Sequence, residues 1–407
     1  MLTALEEGVK GGRWHCLWDK ILKVENARAA SGKVLAKRGS AGVDHVTVER
    51  FGADLDKNLD RLIRELREGK YVPYPVRRVE IPKPGSREKR PLGIPTVRDR
   101  VVQGMLKHVL EPICERDFAE HSYGFRPGRG CKDALRRVQR LLSEGHHWVV
   151  DADIRGYFDS LPHDQLMECM RKKVADGTVL GLIEAFLKQG ILEGLKHWEA
   201  EQGTPQGAVL SPLLANVYLD PLDHQMAETG YAMTRYADDF VVMCRSQAEA
   251  EQALEIIRAW MEEAGLKLHS EKTRIVDATQ RGGFDFLGYH FERGKRWPRK
   301  KSLRKFQDAV RARTRRCSGQ GLDAIIAALN PILRGWFAYF KHSHPDTFRL
   351  MDGWIRMRLR SILRKRRKGS GRGRGSDHQR WPNTFFAKHG LFSLLDARLL
   401  ACQSARR

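Results

Sequence analysis

Arg235-Tyr236-Ala237-Asp238-Asp239-Phe240-Val241-Val242-Met243 decides how this chain is read. Two acidic residues stand side by side ahead of a β-branched pair, Val241 and Val242. Such residues favour strands, so the stretch reads as a hairpin whose turn presents carboxylates. Hard oxygen ligands on a tight turn suit magnesium, the metal of phosphoryl transfer.

Upstream, Trp148-Val149-Val150-Asp151-Ala152-Asp153-Ile154-Arg155-Gly156-Tyr157-Phe158-Asp159 is a second apolar strand that runs into carboxylates. Strand alternation puts Asp151 and Asp153 on one face, so periodicity leaves both open as partners of Asp238. Between the two strands lies Gly203-Thr204-Pro205-Gln206-Gly207-Ala208-Val209-Leu210-Ser211-Pro212.

The chain has 407 residues, room for two or three domains, and 41% hydrophobic residues can fill a sizeable core. Its net charge of +23 points to a polyanionic partner, nucleic acid before membrane. Basic residues interleave with aromatics, as in Arg334-Gly335-Trp336-Phe337-Ala338-Tyr339-Phe340-Lys341. The seven cysteines are scattered, with no C-x-x-C, which argues against a zinc site or a disulfide framework. No apolar run is long enough for a bilayer and the N-terminus lacks a signal pattern, so a cytoplasmic protein without membrane partners is expected.

Coarse periodicity fills in the rest. An amphipathic helix is expected from about 47 to 69, with Leu55, Leu59, Leu62 and Leu66 on its apolar face. Strands are expected at Val76 to Pro82 and Arg90 to Ile94, around a basic Pro-Gly loop. Helix, strand and hairpin then alternate to about Phe291, an α+β pattern. The chain becomes basic and helical to Lys368, then runs through a Gly-Ser-Arg linker at 369–376 into an aromatic tail.

The three quoted stretches, in this order, resemble the palm of a reverse transcriptase. Tyr236-Ala237-Asp238-Asp239 and its flanks resemble the reverse transcriptase/maturase encoded by group II introns. The resemblance covers nearly the whole chain. It implies an α+β right-hand polymerase, with fingers and palm built on antiparallel sheet plus helices and an α-helical thumb, or domain X. The implied divisions are an N-terminal extension at 1–70, fingers at 71–145 with a return at about 165–205, and palm at 146–292. Thumb and domain X follow at 293–368, then linker and tail at 369–407.

The resemblance also assigns roles. In the family an aromatic stands five positions after the catalytic aspartate, and Phe158 fits only Asp153. Asp153, Asp238 and Asp239 become the catalytic carboxylates. With the Ile154 carbonyl they are expected to hold two Mg2+ ions, for which Mn2+ can substitute. Such ions work roughly 3.5–4 Å apart. Lys83 and Arg90 match the triphosphate clamp, Arg90 through its planar fork. Phe158 matches the ring that excludes a 2′-hydroxyl, Gln206 and Gly207 the segment beneath the nucleotide, and Lys272 a group facing the leaving pyrophosphate. Phe286, Leu287 and Gly288 match the primer grip. Arg334, Lys341, Arg356, Arg360, Arg364, Arg366 and Arg367 are the expected RNA-binding cations. The implied partners are an RNA template, a DNA or RNA primer, deoxynucleoside triphosphates and a structured intron RNA. A His-Asn-His endonuclease is not expected. The alternatives are a relative recruited to CRISPR or abortive-infection defence, and a maturase that only assists splicing.

Overall fold

The computed structural model describes residues 12–82, 89–194, 196–199, 201–373 and 375–404. The chain divides into two compact units, Met1–Asp277 and Ala278–Arg407.

The first unit carries eight described strands: β1 (Val76–Pro82), β2 (Lys89–Ile94), β3 (Trp148–Asp153), β4 (Ile191–Glu193), β5 (Lys196–Trp198), β6 (Ala232–Tyr236), β7 (Asp239–Cys244) and β8 (Arg274–Asp277). They form two four-stranded sheets, ordered β2-β1-β4-β5 and β6-β7-β3-β8. The second sheet is antiparallel throughout. Val149, Val150, Ala152, Phe240, Val241 and Val242 are all buried, so both faces of its central strands are covered. Two helices supply much of the core around them. Val97–Asp117, opened by the Thr96 hydroxyl accepting from the Asp99 amide, buries residues on almost every side. Ser211–Glu228 does the same. A helix apolar all round belongs inside a domain.

The strands at 76–82 and 90–94 fall where the sequence puts them. The helix expected from 47 to 69 is instead two, Val48–Ala53 and Leu55–Arg67. The chain leaves helical geometry at Asp54, and the Asn58 side chain donates to the Phe51 carbonyl at 2.9 Å. The apolar stripe survives this break, with Leu59, Leu62 and Leu66 buried.

The second unit opens with β9 (Phe284–Phe286), β10 (Tyr289–Glu292) and β11 (Lys295–Pro298), paired in the order β11-β10-β9. The two compact units part after Asp277, ahead of these strands. The 284–292 strands pair with β11 and not with the β6-β7-β3-β8 sheet. Helices Lys300–Arg313, Leu322–Phe340 and Pro345–Arg366 follow, around a core of Phe306, Leu329, Phe348 and Ile355. The tail packs on this core through Trp381, Phe386 and Leu394. The expected free linker is folded back over its first residues. The Gly369 amide and the Ser370 carbonyl both bond to Arg364, and Gly373 packs against Arg360. Among the described residues no helix is long and apolar enough to cross a membrane.

Candidate active site

β6 and β7 are joined by a two-residue turn, Ala237-Asp238, with Tyr236 opposite Asp239. Ala237 has φ 60°, while Asp238 has no positive φ. This is the II′ pattern, whose first central position normally requires glycine. A non-glycine residue held there costs about 1–3 kcal/mol. The turn is held from outside. The 121–123 segment pairs with β6, His121 and Tyr123 exchanging backbone bonds with Arg235 at 2.9 Å. Gly124 then lies flat on the turn: a Cβ on it would stand 2.2 Å from the Ala237 nitrogen. Only glycine fits there.

Register brings the acids together. Asp153, the last residue of β3, pairs with Asp239, the first of β7, so the Asp238 turn lies just beyond the end of β3. Burial pushes the Asp238 carboxyl above its ordinary value, and the Asp153 charge adds to this, offset by Arg90 and Arg235. Asp151 pairs with Val241 and Arg274, and its carboxylate meets the Arg274 guanidinium at 3.3 Å. Strand alternation alone left the choice of Asp151 or Asp153 open; the sheet places Asp153 beside the acidic turn and Asp151 beside an arginine.

The segment after the following helix docks on the same strand end. Ile154 bridges Leu268, with Arg155 donating to the Lys267 carbonyl and His269 donating to the Asp153 carbonyl, each at 2.8 Å. In such a narrow pair the central residue aims its own N–H and C=O away from that neighbour. The Ile154 carbonyl therefore turns away from the 267–269 segment. The same segment brings Lys272, whose ammonium lies 2.6 Å from the Asp153 carboxylate.

A cavity of about 560 Å3 is lined by Phe158, Asp159, Gln206, Gly93 and Arg78, among others. Phe158 and Gln206 meet there because 203–204 is laced to 158–161: Gly203 donates to Leu161 and Thr204 to Phe158, both at 2.7 Å. Phe158 is half-buried, edge-on to Phe125 and Tyr157. Gly207 has φ 117°, and its close backbone approach is to β2: a Cβ would lie 2.6 Å from the Gly93 carbonyl. Gln206 accepts from the Gly93 amide at 2.8 Å through its backbone carbonyl. Arg90 is exposed, opposite Ile81 on the β1–β2 hairpin, and its charge reaches both Asp238 and Asp159. Lys83 lies outside the described residues.

Among the described residues no three His, Cys, Asp or Glu side chains sit close enough to cage a metal unaided. Magnesium does not demand such a cage, since it is held by one or two carboxylates plus waters and substrate phosphates. The donor set fits: hard oxygens from Asp153, Asp238 and the Ile154 carbonyl, with two like charges close enough to raise the Asp238 carboxyl. The Lys272 ammonium already shows that a cation is accommodated at Asp153.

In the second unit the expected grip residues split. Phe286 is fully buried, so its ring is core. Leu287 and Gly288 form the β9–β10 turn, both at positive φ, and the Tyr339 hydroxyl donates to the Leu287 carbonyl at 2.7 Å. The expected RNA-binding cations also divide. Arg360 is corrected: it is buried, donates to the Trp381 carbonyl and Asn383 side chain at 2.9 Å, and packs over Phe386. Alternating charge along a helix does not reveal that a later tail covers one position. Arg364 is tied to Asp377 at 2.6 Å and to Ser370. Arg334, Arg366 and Arg367 are exposed, Arg366 donating to the Gln320 carbonyl; Lys341 and Arg356 are half-buried.

Sequence reasoning missed Arg235, which is fully buried in β6. It pairs with the equally buried Asp223 and donates to Asn216 and to the Ala237 carbonyl, both at 2.9 Å. Burial works against its charge, but Asp223 more than restores it. Removing either partner alone would strand a buried charge at a cost of about 3–5 kcal/mol. The sequence marks it only as an arginine at the end of a β-prone run; its burial with Thr234 and Met233 is visible in the structure alone.

The pattern of the family described as "Reverse transcriptase (RNA-dependent DNA polymerase)" matches residues 81–291. That of "Group II intron, maturase-specific domain" matches 303–381. Protein YkfC of Escherichia coli (strain K12) is 34% identical over 291 residues, 62% of this chain and 76% of YkfC. Group II intron-encoded protein LtrA of Lactococcus lactis subsp. cremoris is 43% identical over 168 residues, 41% of this chain but only 28% of LtrA. Among solved structures, a partial Cas6-RT-Cas1–Cas2 complex shares 27% identity over 61% of this chain and 42% of that chain, a loose superposition with TM-score 0.40. The chain belongs to the reverse transcriptase family, in the form that carries a group II intron maturase-specific domain.

Proposed function

We propose that this protein is an RNA-directed DNA polymerase working by two-metal nucleotidyl transfer, and that its second unit binds a group II intron RNA to assist splicing and mobility. The observation that carries the polymerase reading is the register of β3 with β7, which sets Asp153 beside the Asp238-Asp239 turn. Asp153, Asp238 and the Ile154 carbonyl would hold the ions, with Asp239 assisting. Bound there, Mg2+ (or Mn2+) activates a primer 3′-hydroxyl and shields the triphosphate. Arg90, with Lys83, clamps phosphate oxygens. Phe158 closes the cavity against a 2′-hydroxyl, and Gln206 hydrogen-bonds near the sugar. Lys272 hands a proton to the departing pyrophosphate or offsets its charge. The exposed cations of the second unit face RNA phosphates.

The test is primer extension on an RNA template with deoxynucleotides and Mg2+. Asp238→Asn should abolish extension while RNA binding persists, because the substitution removes a metal ligand and leaves the RNA-binding cations intact. Full extension by that variant would overturn the assignment. For the second half, the protein should bind a group II intron RNA more tightly than an unrelated RNA of equal length at the same salt. Equal affinities would remove it.

A further inference from the structure

Beneath the acidic turn lies a polar assembly with no route to substrate. Arg235 and Asp223 are 0% exposed and Asn216 is 1% exposed. A guanidinium has five N–H donors in a fixed fork. Here the fork is shared: one edge takes the Asp223 carboxylate, and the other nitrogen, Nη1, reaches both Asn216 and the Ala237 carbonyl at 2.9 Å. Asn216 in turn donates to the Gly124 carbonyl at 2.8 Å, and Gly124 is the residue pressed against the Ala237 nitrogen.

The Ala237 carbonyl belongs to the peptide between the two central residues of the turn. Turns of types I′ and II′ differ by the conformation on either side of that peptide: φ is positive at both central residues in the first and only at the leading one in the second. Exchanging them flips this peptide and swings the residue that follows. That residue is Asp238. With alanine at φ 60°, the turn has no glycine to make its geometry cheap, so something must select it.

We propose that Arg235, anchored by Asp223 and Asn216, is the positioning residue of the catalytic turn: by holding the Ala237 carbonyl it locks the Ala237–Asp238 peptide and aims the Asp238 carboxylate at the Asp153 side. The inference rests on the polymerase reading and adds a role for a side chain that touches neither substrate nor metal. A lysine at 235 keeps the charge beside Asp223. Its single ammonium lacks the fork that spans Asn216 and Ala237 while holding the carboxylate.

The experiment compares wild type, Arg235→Lys and Asn216→Ala, each checked for a folded circular-dichroism spectrum. Without metal, hydrogen–deuterium exchange is followed in peptides covering 232–244 and in peptides elsewhere in 1–277. Extension is then measured across Mg2+ concentrations. In Arg235→Lys, exchange should rise in the turn peptides and not elsewhere. The half-saturating Mg2+ should move up, and kcat should fall by about 10²-fold, the scale of an ångström's misplacement. Template–primer affinity should stay within about twofold. Asn216→Ala keeps the ion pair and should give the same pattern more weakly, which decides the matter if Arg235→Lys does not fold. Exchange and Mg2+ dependence unchanged in a folded variant would overturn the proposal, as would a rise in exchange spread over the whole unit. Wild-type protein that fails to extend any primer would instead refute the polymerase reading.

Discussion

The ammonium of Lys272 lies 2.6 Å from the carboxylate of Asp153, across 119 positions of sequence. The contact exists because 267–269 pairs with the end of β3 and so delivers the next turn to the catalytic strand. On the proposed polymerase reading, a cation held there would meet the negative charge that a leaving pyrophosphate develops.

Lys272→Ala should therefore lower single-turnover nucleotide incorporation by about 10²-fold, the usual reach of one acid or charge at a leaving group. Lys272→Arg should recover part of this, since charge returns with altered geometry. Rapid-quench incorporation with a preformed template–primer complex reads both. Incorporation as fast as wild type in Lys272→Ala would leave the ion pair a surface contact.

Phe158→Ala should relax sugar discrimination. The ring lines the same cavity as Gln206, so its loss opens space where a 2′-hydroxyl would stand. Ribonucleotide use relative to deoxynucleotide should rise by about 10²-fold, equivalent to about 3 kcal/mol. Competing single-nucleotide incorporations give the ratio. An unchanged ratio would make Phe158 a packing residue, consistent with its edge contacts to Phe125 and Tyr157.

The basic helix Pro345–Arg366 and its exit should respond in two separable ways. Replacing exposed Arg366 and Arg367 by Gln should weaken RNA binding and flatten its salt dependence. Each phosphate that goes unneutralised should take about 0.7–0.9 log units per log unit of salt off the slope. Arg360→Ala should instead lower thermal stability by about 2–3 kcal/mol, because its charged hydrogen bonds to Trp381 and Asn383 are internal. Filter binding across salt and thermal melts distinguish them. A salt slope altered by Arg360→Ala at unchanged stability would reverse the assignment.

His108 should make the first unit acid-sensitive. Burial, then Lys33 and Lys107, draws its pKa down to about 4. Asn26 donates both ways to the Ile21 and Met105 carbonyls, so its oxygen accepts from His108 Nδ1 at 2.9 Å. The folded value lies below the unfolded one, so the unfolded chain binds the proton first. Stability is fully present above about pH 6.5 and is lost as pH falls toward 4. For a half-buried ring the loss is on the order of 1–2 kcal/mol. Urea melts at pH 7 and pH 5 should show this difference reduced in His108→Gln. The same pH dependence in the variant would assign it to other groups.

The sequence by itself determined the elements and the chemistry of the acids. The β-branched, apolar runs at 148–150 and 240–244 favour strands, and the adjacent carboxylates at 238–239 fall where the chain turns between β6 and β7. Local chemistry likewise placed the strands at 76–82 and 90–94. What it could not determine is which face of a charged residue would be covered, because that depends on segments far away in the chain. Asp151 and Asp153 share a face in any isolated strand; β7 and β8 give one an acidic neighbour and the other an arginine. Arg360 looks like its basic neighbours until the tail residues Trp381 and Phe386 close over it. Arg235 reads as one more cation in a chain of net charge +23, and only the packing of Asp223, Asn216 and Gly124 makes it the internal support of the acidic turn. Periodicity fixes what a residue can do along its own element; burial and pairing, which are non-local, decide what it does.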